Sequence, residues 1–98
     1  MKKVNVFSVA ENDMMQIYDY IAFDNPLEAS RMLDKFDKAF EQLGEFPQSG
    51  NLILDSRLIK KGYRKLVVGN YIIIYHETDS EVQILHIKNG AARYIDLL

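Results

Sequence analysis

Asn25-Pro26 divides what would otherwise be one long helical pattern, and this break constrains the fold more than any other feature of the chain. The residue before a proline is pushed out of the α region and the proline brings no N–H, so a helix running into this pair has to stop. The same pair starts a second helix: Asn25 is a good N-cap, Pro26 suits the first helical position, and Glu28 is placed to complete a capping box. Upstream, Met14, Ile17, Tyr18 and Ile21 recur at helical spacing, which predicts one buried stripe and turns Asp13, Asp19 and Asp24 largely away from the core. Ser8 with Glu11 three residues later is a capping-box pattern that starts this helix near Val9. Downstream, Leu33, Phe36, Phe40 and Leu43 carry a second stripe to Gly44, which reads as a left-handed C-cap. Two helices joined so tightly form an antiparallel hairpin.

Each helix of that hairpin offers one apolar stripe, and the remaining chain supplies the surface to cover it. Residues 3–7 alternate polar and apolar side chains, the period of a half-buried strand. After the turn-rich Phe46-Pro47-Gln48-Ser49-Gly50, three β-rich runs follow: Tyr63–Val68, Tyr71–His76 and Val82–Ile87. Their separators, Gly69-Asn70 and Thr78-Asp79-Ser80, are short turn sequences, so the runs form an antiparallel meander that the first strand joins. The expected fold class is α+β: an N-terminal strand and an antiparallel helical hairpin packed on a twisted antiparallel sheet of about four strands. Ninety-eight residues make this a single domain, 1–98, because a second unit would lack the residues for its own core. The closing segment Ala91–Leu98 is too short to assign to helix or strand.

Several chemistries drop out at once. With no cysteine there is no disulfide framework, thiolate nucleophile or cysteine-ligated zinc, which suits the reducing cytoplasm. No run approaches 18 apolar residues, so no membrane association is expected. His76 and His86 lack metal-ligand spacing, the serines lack a nucleophile-elbow context, and the glycines are scattered at turns, so neither a metal nor a nucleotide cofactor is expected. Charge is unevenly divided. Residues 11–45 hold nine acids and three bases, whereas Arg57, Lys60, Lys61, Arg64 and Lys65 fall within nine residues of the later half. Tyr63, Tyr71, Tyr75 and Tyr94 accompany those cations, a weak form of the stacking and phosphate-binding combination. The net charge of -2 counts against a protein whose main task is to grip nucleic acid.

Taken in order, a set of loose motifs resembles the RelE/ParE toxin superfamily. They are Ile17-Tyr18-Asp19-Tyr20-Ile21 with Asp24-Asn25-Pro26, Phe46-Pro47 with Gly50, and Gly62 through Tyr71 with Tyr75. Ile84-Leu85-His86-Ile87 and Arg93-Tyr94-Ile95-Asp96-Leu97-Leu98 complete the set. The resemblance implies the same hairpin-on-sheet fold and a cognate antitoxin that wraps and blocks the protein. It implies one of two targets: RelE-like toxins cut messenger RNA on the ribosome, and ParE-like toxins poison DNA gyrase. The nuclease members commonly carry an arginine where this chain has Ile72, and a basic pair where it has Ala91-Ala92. What remains for a nuclease is Arg64, His86 and Tyr94 as catalytic candidates. The departures favour the ParE-like reading, with Lys60, Lys61, Arg64, Lys65 and Arg93 as target-binding candidates. Ile72 and Ile74, on one sheet face, are the candidates to receive an apolar antitoxin segment. A third reading keeps the fold as a binding module without toxicity.

Overall fold

The computed structural model describes residues 1–55 and 61–90. Its elements run β1 (Lys3–Val6), α1 (Ser8–Ala22), α2 (Pro26–Glu45), β2 (Asn51–Leu52), β3 (Arg64–Val68), β4 (Tyr71–Glu77) and β5 (Glu81–Asn89). The two helices form the expected hairpin and cover one face of the sheet. Strand order is β1-β5-β4-β3-β2. Strands β2 to β5 pair antiparallel, as expected of the meander, with β2 a two-residue addition against Lys65 and Arg64. β1 corrects the expectation of a wholly antiparallel sheet: it runs parallel to β5, with Lys3 opposite Glu81 and Val6 opposite Ile84. Alternating polarity fixes which face a strand buries but carries no information on its direction.

The two helix starts behave differently. Asn25 caps α2 as expected, its side chain accepting the Glu28 N–H at 3.2 Å with Pro26 in the first turn. Glu28 does not close the box; its carboxylate pairs with Arg31, and the Asn25 N–H goes to the Ile21 carbonyl at 2.9 Å. The cap read at Ser8 is absent, because Ser8 is already helical and Phe7 holds the cap position without a side-chain hydrogen bond. Strand and helix share that residue: the Phe7 N–H donates to Ile84 O at 2.9 Å while its carbonyl accepts from Glu11 N–H at 3.0 Å. Gly44 is likewise not a left-handed cap. It lies within α2, and positive φ occurs only at Gly62 and Gly69 among the described residues. Close approach explains it: Lys2 N–H donates to Gly44 O at 2.9 Å, and a Cβ on Gly44 would sit 3.1 Å from Lys2 O. Gly69, at φ +60°, makes the tight β3–β4 turn.

Register sorts the sheet into two faces. Ile73, Tyr75, Val82, Ile84 and Ile87 meet Ala10, Met32, Phe36, Ala39 and Leu43 in the main core, with Met14, Ile17, Ile21, Leu33 and Phe40 at its margin. A β-bulge lies between Ile74 and Tyr75: Tyr75 pairs with Ile84 and Ile74 with His86, leaving Leu85 as the extra residue. Ile84 and Ile87 therefore both face the helices although they are three positions apart. On the opposite face Ile72 and Ile74 pack with Ile53 and Tyr63.

Candidate functional site

The edge of β5 holds an arrangement the helical pattern did not foresee. β1 stops pairing with β5 at Ile84, and beyond that point α1 supplies a side chain in place of a strand. Asp13, expected to face solvent, is only 5% exposed. Its Oδ2 accepts the Ile87 N–H at 3.0 Å and its Oδ1 accepts from Lys88 Nζ at 3.0 Å. The carboxylate thus replaces a missing ladder bond and is itself neutralised, the condition under which a buried charge is tolerated. His86 completes the group, with Nδ1 3.8 Å from Asp13 Oδ2. That nitrogen is buried and has no hydrogen-bond partner.

At the other end of the sheet Tyr75 and Arg64 fasten the loop that leaves α2. The Tyr75 hydroxyl donates to Pro47 O at 2.8 Å and accepts from Gly50 N–H at 2.9 Å. Burial pushes this hydroxyl above the usual tyrosine range, with the Gly50 hydrogen bond and the Arg64 charge acting against that rise. Arg64 Nη1 donates to Gly50 O at 2.9 Å. Gly50 admits no side chain here, since a Cβ would lie 2.6 Å from both Lys65 O and the Tyr75 hydroxyl oxygen. Nearby, Lys2 Nζ pairs with Glu77 at 2.8 Å and holds its carboxyl below the ordinary carboxylate range.

The sequence-derived candidates separate accordingly. Arg64 shares its sheet face with Leu66 and Tyr75, toward the helices, whereas His86 stands opposite Ile74 on the other face with Lys65. The register therefore does not bring Arg64 and His86 together. Lys65 joins the His86 row, and Lys61 is exposed at the entry to β3. Ile72 and Ile74 do share one face but are 4% and 0% exposed. Lys60, Arg93 and Tyr94 lie outside the described residues. Asp13 and Lys88 were not singled out as site residues. Asp13 had a signal, for positions 10, 13, 14, 17 and 21 trace a single helical stripe with an acid inside it. Among the described residues no group of three or more histidine or acidic side chains is arranged to hold a metal, and no helix is long and apolar enough to cross a membrane.

Of the exposed large apolar side chains, three lie near the turn of the hairpin. Tyr20, Phe23 and Leu27 are 78%, 91% and 61% exposed. A groove of about 280 Å³ opens beside Tyr20, lined also by Ile17, Tyr71, Ile87, Asp13 and Lys88.

Comparison with known proteins agrees with this architecture. Residues 8–94 match the family described as ParE toxin of type II toxin-antitoxin system, parDE. Toxin RelE2 of Caulobacter vibrioides is 36% identical over 80 residues, covering 81% of this chain and 84% of that protein. The solved structure of a chromosomal ParDE TA system from P. aeruginosa superposes with a TM-score of 0.75 at 20% identity, over 91% of this chain and 96% of the other, which is a likeness of fold. With its helical hairpin, its mixed sheet and a family match over nearly all its length, the chain belongs to the ParE toxins of type II toxin–antitoxin systems, within the RelE/ParE superfamily.

Proposed function

We propose that this toxin arrests growth in the cytoplasm by binding DNA gyrase, in the ParE manner, and that a cognate antitoxin holds it in check. The observation that carries the reading is the employment of the sheet's cations. Cleavage of RNA without a metal needs positive groups converging on the scissile phosphate, where charge develops in the transition state. Here Lys88 is bound to Asp13, Arg64 is bound to the Gly50 carbonyl on the other face, and the β4 residue opposite Lys88 is a buried isoleucine, Ile72. An arrangement of that kind favours action by contact over hydrolysis. For the antitoxin, Val67, 64% exposed beside Ile72 and Ile74, is the apolar group an incoming segment meets first on that face.

The test is a supercoiling assay with purified gyrase and relaxed plasmid, with and without the toxin. Inhibition that the co-purified antitoxin reverses is the expected result; undisturbed supercoiling at a large excess of toxin refutes it. One observation stands on the side of the ribosome-dependent nuclease, namely the imidazole of His86 beside the Asp13 carboxylate. That reading requires new transcript ends after induction, seen by primer extension and lost in His86→Ala or Tyr94→Phe.

A further inference from the structure

Resting on the gyrase reading, we propose that the toxin meets its target through the tip of the helical hairpin, with Tyr20, Phe23 and Leu27 as apolar contacts between the carboxylates of Asp19 and Asp24. The partner surface it fits is a basic groove of the kind that holds DNA phosphates. Two independent features of the tip converge on this chemistry. The first is exposure. Phe23 and Tyr20 are the kind of side chain a small domain ordinarily buries, yet here they project at the end of the molecule remote from the Tyr75 clasp. Exposed aromatic groups gathered at one place mark a contact surface. The groove beside Tyr20, with its Ile17, Tyr71 and Ile87 walls, extends the apolar surface and has room for a side chain of the partner.

The second feature is sign. Asp19 and Asp24 are exposed at the tip, residues 4–30 contain no lysine or arginine, and the first base beyond them, Arg31, is paired with Glu28. The field around the tip is therefore negative, and it repels nucleic acid while attracting a protein surface built to neutralise phosphates. Carboxylates stand in for phosphates and aromatic rings for bases, since a groove that binds DNA offers cations for the one and stacking platforms for the other. The sequence-derived cations Lys60, Lys61, Arg64, Lys65 and Arg93 have the wrong sign for such a partner. They are left for other contacts.

The experiment compares half-inhibitory concentrations of toxin in gyrase supercoiling. Tyr20→Ser/Phe23→Ser removes the apolar contacts and Asp19→Lys/Asp24→Lys reverses the charge. All four side chains are exposed, and thermal melts of each variant check that it folds. Each double variant should need at least tenfold more toxin, while Lys35→Ala/Lys38→Ala, on the exposed side of α2, should match the parent. Inhibition by the parent should weaken as salt rises from 50 to 200 mM, and less so in Asp19→Asn/Asp24→Asn. If the parent inhibits and the tip variants inhibit equally, the tip is not the contact although gyrase remains the target. Loss of antitoxin capture with undiminished gyrase inhibition would overturn it too, giving the tip to the antitoxin. If the parent leaves gyrase unaffected, the gyrase reading falls and this inference falls with it.

Discussion

Replacing Asp13 by alanine should cost more stability than any other single change on the surface of α1, and the reason can be worked through atom by atom. The carboxylate serves two donors, the Ile87 N–H and the Lys88 ammonium. Alanine leaves the Ile87 N–H buried without an acceptor, which costs about 1–3 kcal/mol. It also strands Lys88, but the Lys88 side chain is 34% exposed and recovers much of its hydration, so this part adds about 1 kcal/mol, not the several kcal/mol of a fully buried pair. A loss of about 3 kcal/mol is expected, and in a domain of this size that lowers the melting temperature by about 12–24 °C. Asp13→Asn keeps an acceptor for Ile87 and loses only the charge, so it should fall between parent and alanine variant. Urea denaturation followed by circular dichroism measures both, and a double-mutant cycle with Lys88→Met isolates the pair. An alanine variant within about 0.5 kcal/mol of the parent, or a cycle with no coupling, refutes the reasoning.

Other expectations follow from the same geometry. Tyr75→Phe removes the hydroxyl that serves Pro47 and Gly50, and should cost about 1–3 kcal/mol in urea melts; Gly50→Ala, which drives a methyl into Lys65 O, should cost at least as much. The helix starts should respond unequally, Asn25→Ala losing about 1 kcal/mol while Ser8→Ala is close to neutral, because only Asn25 makes a cap bond. Glu77 is held below its ordinary value of 4.5 by Lys2. Its contribution is present above that value and is lost as pH falls through the lower folded-state pKa. Stability measured from pH 6 to pH 3 should therefore drop less steeply in Glu77→Gln than in the parent. A parallel pair of curves would show that the Lys2 contact contributes nothing.

Local features of the fold could be read from the chain because local chemistry fixes them. Asn25-Pro26 stops one helix and starts another by sterics and capping alone, and Gly69-Asn70 folds a hairpin for reasons contained in two residues. The parallel pairing of β1 was not legible, since it depends on which edge of a distant meander remains free. Gly44 misleads for a related reason: glycine at the end of a helical stripe suggests a cap, and only the approach of Lys2 and Val4 reveals that the missing Cβ makes room for another strand. In the candidate site, Arg64 and His86 looked like partners in sequence, yet they sit on opposite faces because pairing register, with its bulge at Leu85, decides what each strand position faces. The irregular spacing of Ile84 and Ile87 was the visible trace of that bulge.

The ladder between residues 3–6 and 81–84 also has a bearing on how such a toxin is made. The helical hairpin depends on near neighbours and has what it needs early in synthesis, but the strand preceding it must wait for a mate nearly eighty residues away. The sheet, and with it the Asp13 anchorage at Ile87, closes only after β5 has been made. Contacts of such long range fold late, so order spreads from the hairpin to the sheet, and the parallel ladder of β1 on β5 is among the last pieces to close.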